Sequence, residues 1–364
     1  MPLLSKDKTA PAVIAETGGA RVLALTRGDP SGIGSELALR AWLALHDDPA
    51  APAFFIAADA SHLQSLAERF GLPVPVVSCA PGEACNVFRS ALPVVAVPGP
   101  LHGGLGQPDI ADAPATLRSI ELCAELLHAG EAAAMVTNPI AKDVLQRAGF
   151  AHPGHTEFLG ELAQRLFAKE LDGASVRPVM LLWSEELAVV PITIHVPLAD
   201  VPSLLNFDLI VETAKIVARD LTRRFSLPAP RLAFTGLNPH AGESGHMGRE
   251  EIDIIAPAIA QLRRLGIDAR GPFPADTMFH NAARRQYDVA MCMYHDQALI
   301  PIKTLAFETG VNVTLGLPYI RTSPDHGTAF DIAAVGKADP SSLIAALHLA
   351  AKIARTEAAT SRTA

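Results

Sequence analysis

Short apolar runs that end in glycine or polar residues, each followed by an amphipathic helical stretch, recur along this chain of 364 residues. The predicted strand and helix pairs are 22–26 with a helix starting near Gly34, 54–58 with 61–70, 132–137 with 141–147, and 232–236 with 249–265, and a further strand covers 289–293. Near-continuous apolar strands that alternate with helices are typical of parallel sheets covered on both faces. The sequence therefore predicts the α/β class.

The length of the chain exceeds what one ordinary hydrophobic core organises, so we expect two domains with a cleft between them. The Pro- and Gly-rich stretch 97–108 is typical of a hinge or loop. We expect a helix at 341–354 and disorder in the last ten residues. The predicted division is a disordered leader at 1–20, a discontinuous first α/β domain at 21–130 plus 271–355, and a second α/β domain with dimer contacts at 131–270.

The composition excludes several classes of partner. The formal charge is −8, charged residues make up 19% of the chain and aromatic residues 5%, so the basic surface needed for nucleic acid or anionic membranes is missing. The four cysteines form no CxxC pair, which fits a reducing compartment. No apolar run approaches the ~20 residues of a membrane span, and the first residues do not form a signal peptide. We expect a cytoplasmic protein that binds neither membrane nor nucleic acid.

Polar residues collect where the predicted strands end, which is where ligands bind in α/β sheets. Four of six such segments carry histidine, although the chain has only 13 histidines. The six segments are GDPSGIGSE, TNPIAK, HPGHTEF, His195, LNPHAGESGHMG and YHDQ.

Three of these histidines, His195, His240 and His295, follow three separate strands. Neutral imidazole is a good ligand for zinc and related divalent ions, and three protein ligands with open positions are typical of a catalytic metal. Each histidine taken alone could equally be an ordinary loop residue, but together they predict a site for zinc, magnesium, cobalt or manganese. The sequence has no HExxH or CxxC motif, and the glycine loop at 28–35 is neither a phosphate-binding P-loop nor GxGxxG.

The segment 301–331 is the richest in polar candidates. Lys303 and Arg321 could bind an anionic group, and their apolar or small neighbours favour partial burial over a solvated surface. The other candidates of this segment are Asn312, Thr322, Ser323, Asp325, His326 and Thr328.

Long ordered blocks of the chain resemble the 4-hydroxythreonine-4-phosphate dehydrogenase family. They include GDPSGIGSEL, TNPIAK, GHTEFL, GLNPHAGESGHMGREE, GPFPADTMF, MYHDQALIPIK, GVNVTLGLPYIRTSPDHGTAFDIA and GKADPSS, and they run from about residue 22 to about 353. A more distant resemblance is to the isocitrate and isopropylmalate dehydrogenases. The resemblance implies two α/β/α domains of that type, an active site in the cleft between them, and a homodimer.

The resemblance also implies roles for individual residues. His195, His240 and His295 correspond to the ligands of one divalent metal per active site, with one ligand supplied by the partner subunit. The positions that correspond to substrate binding are His155, Thr156, Lys303, Asn312 and Arg321. By the remoter resemblance, NAD or NADP would lie near His326, Gly327, Thr328 and Asp331.

The implied reaction is oxidation of 4-phosphooxy-L-threonine at C3, followed by loss of carbon dioxide, in pyridoxal phosphate biosynthesis. A base must take the hydroxyl proton, and the candidates, which the sequence does not rank, are Lys303, Asp276 and Asp296. The leading alternative keeps the fold and changes the substrate to D-threonate or D-erythronate 4-phosphate, or to an aromatic cis-dihydrodiol. A metal-dependent hydrolase and a non-catalytic metal-binding or small-molecule sensor are alternatives from other classes.

Overall fold

The computed structural model describes residues 22–152 and 154–363, with side chains described up to residue 360. The described residues form one mixed sheet of 12 strands with helices on both faces. The strands are β1 Leu23–Thr26, β2 Phe54–Ala58, β3 Val76–Ser78, β4 Leu92–Ala96, β5 Met135–Val136, β6 Val179–Trp183, β7 Ala188–Pro191, β8 Leu232–Thr235, β9 Ala269–Phe273, β10 Val289–Cys292, β11 Val311–Leu315 and β12 Arg321–Pro324. The α/β class is confirmed.

The α-helices alternate with the strands through most of the chain. They are α1 Gly34–Leu45, α2 Ala60–Arg69, α3 Ala84–Val87, α4 Ala113–His128, α5 Lys142–Arg147, α6 His155–Leu166, α7 Ala168–Leu171, α8 Val201–Leu204, α9 Phe207–Phe225, α10 Ala256–Arg264, α11 Asn281–Arg284, α12 His295–Ala306 and α13 Ser341–Thr363. A π-helical turn at Glu251–Ile255 leads into α10. No described helix is both long and apolar enough to cross a membrane.

The strand order is β3-β4-β2-β1-β5-β12-β11-β6-β7-β10-β8-β9. The expectation of a parallel sheet is wrong in the middle of this order, where β11 runs antiparallel to both β12 and β6, and β6 runs antiparallel to β7. The β6–β7 and β11–β12 connections are too short for a crossover, and short connections of this kind join antiparallel strands. On either side of this centre the pairs are parallel.

The core lies on both faces of the sheet. Helices α1, α2, α9, α10 and α13 bury apolar side chains against one face, and α4 and α6 do so against the other on the β1–β5 side. The sheet passes from end to end without a break, so the domain boundaries stay a prediction. Strand β10, placed by that division in the first domain, pairs with β7 and β8.

The C-terminal helix is longer than expected. Instead of ending near residue 354, α13 continues to Thr363. Its Glu357 pairs with Arg223 at 2.6 Å and with Arg224 at 3.8 Å, both on α9. Because these ion pairs fix the last turns, the expected disorder of the last ten residues is wrong for 355–363. The expected leader at 1–20 lies outside the described residues.

Helix α9 shows how local sequence sets an element's ends. The Asn206 side chain accepts a hydrogen bond from the Leu209 N–H at the start of the helix, which satisfies one free donor. Asp208 lies in the first turn and Arg223 and Arg224 in the last, so the charges complement the helix dipole. Ser226 ends the helix in the left-handed conformation.

Candidate active site

Two of the predicted metal ligands lie side by side at one edge of the sheet. His195 follows β7, and His295 begins α12 directly after β10, the parallel neighbour of β7. Their ring centroids are 5.6 Å apart. A zinc–nitrogen distance of about 2.0 Å would place two ligating rings at roughly this separation, so the pair has the spacing that one divalent ion requires.

The surroundings of both rings favour metal binding. Asp296 Oδ1 lies 2.7 Å from His295 Nδ1, and a carboxylate on one ring nitrogen leaves the other nitrogen free for a metal. Burial, followed by the charges of Lys142 and His295, lowers the pKa of His195. The neutral imidazole that binds metal is therefore the favoured form.

The third predicted ligand, His240, lies on an exposed loop after β8. From His240 to Ser244 every φ is positive, a conformation that side chains other than glycine adopt only under constraint. The constraint comes from buried Glu251, whose Oε1 accepts the N–H groups of Leu237 and Asn238 at 2.7 Å each. The exposed turn that carries Asp276 packs against the same loop.

Within 22–152 and 154–363, no three His, Cys, Asp or Glu side chains converge on one metal position. One chain thus brings His195 and His295 together and presents His240, with Asp276 beside it, on a separate exposed loop.

Arg321 forms a buried cationic group on β12. Its Nε and Nη2 donate to Thr137 Oγ1 at 3.0 and 2.7 Å, and its Nη1 donates to Thr314 Oγ1 at 2.9 Å. The residue is 5% exposed, and burial lowers its pKa to about 10, so the guanidinium keeps its charge at neutral pH. A guanidinium has five N–H donors, and here three are held by neutral hydroxyl groups. The remaining donors suit an anionic ligand.

His155 and Thr156 begin α6. Burial, followed by Arg321 and Lys142, lowers the pKa of His155 well below its ordinary value. Its Nε2 is buried and has no hydrogen-bond partner among the described residues. A neutral imidazole with an unsatisfied nitrogen beside an arginine is suited to a ligand group.

The other predicted substrate-binding residues lie on neighbouring elements. Asn312 is half-buried on β11, two residues from Thr314. Lys303 on α12 forms an ion pair of 2.9 Å with Asp325, which directly follows β12. Segment 301–331 therefore folds back on itself, so that Lys303 reaches the residue that follows the strand carrying Arg321.

The residues predicted to bind the dinucleotide pack against the glycine loop. The N–H of Ile33 donates to the Thr328 carbonyl at 3.1 Å, and a methyl group at Gly32 would lie 2.8 Å from that oxygen. Gly32 thus permits close approach of the two loops, whereas Gly28 supplies a positive φ of 71°. The Nε2 of His326 is buried without a partner among the described residues, and Asp331 is exposed.

Sequence reasoning missed the residues that hold the site in place. Thr137 and Thr314 fix Arg321, and Glu251 fixes the His240 loop. Gln297 joins the ends of β8 and β10, since its Oε1 accepts from Thr235 and from the Met293 N–H. Only Thr137 carried a signal, because it opens the polar segment TNPIAK at the end of a predicted strand.

Comparisons with known proteins identify the family of this chain. The family model described as "Pyridoxal phosphate biosynthetic protein PdxA" matches residues 50–350. A 4-hydroxythreonine-4-phosphate dehydrogenase of Methylorubrum extorquens is 57% identical over 342 residues, which cover 93% of this chain and 96% of that protein.

Solved structures of similar proteins point to the same family. The crystal structure of 4-hydroxythreonine-4-phosphate dehydrogenase from Klebsiella pneumoniae matches with a TM-score of 0.80 and 35% identity, covering 93% of this chain and 99% of that one. A terephthalate 1,2-cis-dihydrodiol dehydrogenase from Burkholderia xenovorans matches with a TM-score of 0.60 and 26% identity, over 92% and 98% of the two chains. The family model matches most of the chain, and these relatives are similar to it over nearly their whole length. The protein therefore belongs to the PdxA family of 4-hydroxythreonine-4-phosphate dehydrogenases.

Proposed function

We propose that this protein oxidises the C3 hydroxyl of 4-phosphooxy-L-threonine with NAD or NADP, as a step of pyridoxal phosphate biosynthesis. The product, 2-amino-3-oxo-4-phosphooxybutanoate, is a β-keto acid and loses carbon dioxide to give 3-amino-2-oxopropyl phosphate. The observation that carries the proposal is the buried Arg321 guanidinium, which is held by two threonine hydroxyls and retains its charge. Such a group fits a phosphate ester.

The chain's own residues supply binding and proton transfer. Arg321, Lys303 and Asn312 hold the phosphate from the strand side, and His155 and Thr156 hold it from the start of α6. NAD or NADP lies along the loop that contains His326, Gly327, Thr328 and Asp331, and takes the hydride.

The imidazoles of His195, His240 and His295 would hold one divalent metal, which could be zinc, magnesium, cobalt or manganese. When bound, this metal stabilises negative charge on the substrate oxygen. Asp296 orients His295, so we assign it to positioning and not to proton transfer. We prefer Asp276 as the base. It makes no ion pair among the described residues and lies against the His240 loop, whereas Lys303 is paired with Asp325.

We further propose a homodimer in which His240 and Asp276 of each chain complete the partner's site. The support is the separation of the exposed His240 loop from the His195–His295 pair in one chain. A cytoplasmic location and a cleft between the two predicted domains complete the proposal.

The alternatives differ in their substrate. A dihydrodiol has no phosphate, so the buried Arg321 is the feature that disfavours it, despite the structural match to a dihydrodiol dehydrogenase. Threonate and erythronate 4-phosphates carry the phosphate and remain the second candidates.

The test is reduction of NAD or NADP followed at 340 nm with a divalent metal and either 4-phosphooxy-L-threonine or D-threonate 4-phosphate. Faster turnover of the amino acid is expected. Preference for threonate phosphate would move the protein to sugar-acid metabolism, and no reduction with either would overturn the proposal. Removing the metal with a chelator and restoring it tests the metal requirement.

The shared site is tested by mixing two inactive variants, His195→Ala and His240→Ala. If each site combines His195 of one chain with His240 of the other, half of the chains in random mixtures form heterodimers with one intact site, which restores about one quarter of wild-type activity. No recovery in mixtures that have exchanged subunits would show that each site is built from one chain.

A further inference from the structure

Gln297 lies two residues after His295 in the first turn of α12, and its side chain makes three hydrogen bonds at the ends of two neighbouring strands. Its Oε1 accepts from the Thr235 hydroxyl at the end of β8 and from the Met293 N–H directly after β10, at 2.7 Å each. Its Nε2 donates to the Gly236 carbonyl at 2.8 Å. One side chain therefore ties the start of α12 to the end of β8.

The three partners require an amide at this position. The Met293 N–H can only donate and the Gly236 carbonyl can only accept, so the side chain between them needs both an acceptor and a donor at its tip. Glutamate has no donor at neutral pH, and an aliphatic side chain has neither group. Gln297 is half-buried, so its removal leaves two backbone groups without their partners.

Gly236 is the peptide from which two candidate site residues are placed. Its N–H donates to the Phe273 carbonyl at 2.8 Å, at the end of β9, and the turn that carries Asp276 begins two residues later. In the other direction the chain reaches His240 four residues after Gly236. A methyl group built on Gly236 would lie 2.8 Å from Ala241 Cα, so the His240 loop packs directly on this peptide.

We propose that Gln297 is a positioning residue that fixes His295 on one side and the His240 loop with the Asp276 turn on the other. This inference rests on the proposed function, in which these side chains bind the metal and take the proton. Gln297 acts through the backbone that carries them. In the proposed shared site, His295 belongs to the chain's own site and His240 to the partner's, so each Gln297 serves both sites of the dimer.

The test measures zinc affinity by competition with a chelator in Gln297→Met, Thr235→Val and Gln286→Met. Methionine has a similar shape and makes none of the three bonds, Thr235→Val removes one of them, and Gln286 is an exposed glutamine in the turn before β10. Residues that orient metal ligands typically change metal affinity by 10- to 100-fold. We expect about tenfold weaker zinc binding in Gln297→Met, a smaller loss in Thr235→Val, and no change in Gln286→Met. The double variant should bind zinc like Gln297→Met alone, since both changes remove the same bond.

Kinetics and thermal unfolding separate positioning from folding. With Gln297→Met, kcat should fall about tenfold at saturating zinc, while KM for 4-phosphooxy-L-threonine should stay within about twofold because Arg321 is untouched. Arg224→Met, at a buried arginine of α9, is the stability control and should lower the melting temperature without changing zinc affinity. Wild-type zinc affinity in folded Gln297→Met, or a rise in KM alone, would overturn the inference. If the wild type binds no divalent metal or oxidises no acid phosphate, the proposed function itself fails.

Mixed dimers separate the two directions in which Gln297 acts. In a dimer of a His195→Ala chain and a His240→Ala chain, the intact site takes His295 from the second chain and the His240 loop from the first. Adding Gln297→Met to either chain should lower the recovered activity about tenfold. A loss confined to the chain that supplies His295 would refute the action of Gln297 on the His240 loop.

Discussion

The hydroxyl of Thr137 accepts two of the three side-chain hydrogen bonds of Arg321, so Thr137→Val tests how the anion site is held. Valine has nearly the same shape as threonine and leaves no cavity. It leaves two N–H donors of a buried guanidinium without an acceptor. We expect Arg321 to lose its orientation and the phosphate to bind more weakly.

The expected loss of binding free energy follows from the hydrogen bonds of Arg321. Hydrogen bonds to charged groups contribute about 1.5–3 kcal/mol. The two bonds share one acceptor, so Thr137→Val should cost about 2–3 kcal/mol of binding free energy, roughly 30- to 150-fold in affinity. Thr314 accepts one bond at 2.9 Å, and Thr314→Val should cost about 1.5 kcal/mol, roughly tenfold.

The assay is the KM for the acid phosphate at saturating dinucleotide, supported by calorimetric affinity. Thr137→Ser, which keeps the hydroxyl group, is the matched control and should bind within about threefold of the wild type. If Thr314→Val weakened binding more than Thr137→Val, or if Thr137→Val bound like the serine variant, the hydroxyl would not position Arg321.

Three further predictions concern stability and the metal. The Arg224 side chain is 1% exposed and donates to Asp220 and to the carbonyls of Leu317 and Tyr319. Arg224→Met should therefore lower the free energy of unfolding in urea by about 3–5 kcal/mol. The matched control is Arg223→Met, at a side chain that is 39% exposed, and it should lower this free energy by less than about 1 kcal/mol. Glu251→Ala should release the His240 loop and lower the bound metal per chain, measured by elemental analysis, with little change in circular dichroism; full metal content would contradict this role of Glu251. Burial, with the charge of Arg27, lowers the pKa of His62 from 6.5 to about 4, so below pH 6.5 the unfolded chain binds a proton that the native chain does not. The free energy of unfolding should therefore fall as the pH drops from 6.5 to 4, and an unchanged slope in His62→Gln would refute this assignment.

The sequence predicts several of the parallel strands on either side of the centre of the sheet. The run at 54–58 coincides with β2, and the runs at 232–236 and 289–293 each match a strand to within one residue. Because the carboxyl ends of neighbouring parallel strands meet at one edge, the histidines after β7 and β10 lie 5.6 Å apart, and their role as metal ligands stays a prediction.

The sequence does not show which strands are neighbours or which polar groups meet. The antiparallel pairing of β11 with β6 and β12 depends on contacts between distant parts of the chain, and apolar runs look alike in either direction. Thr314 resembles any threonine of a buried strand, and only the fold places it on Arg321. The length of α13 likewise depends on ion pairs with α9, which local composition does not encode.

The hydrogen bond between Arg321 and Thr137 joins positions separated by 184 residues. The two-residue strand β5 pairs with β12 along one side, so this side of β5 stays unpaired until residues 321–324 have been synthesised. During synthesis, domains fold from the N-terminus as the chain emerges. The anion site therefore closes only after most of the protein has left the ribosome, so substrate cannot stabilise earlier folding intermediates. Chains truncated before residue 321 would lack the site altogether, even where the β1–β4 part of the sheet has formed.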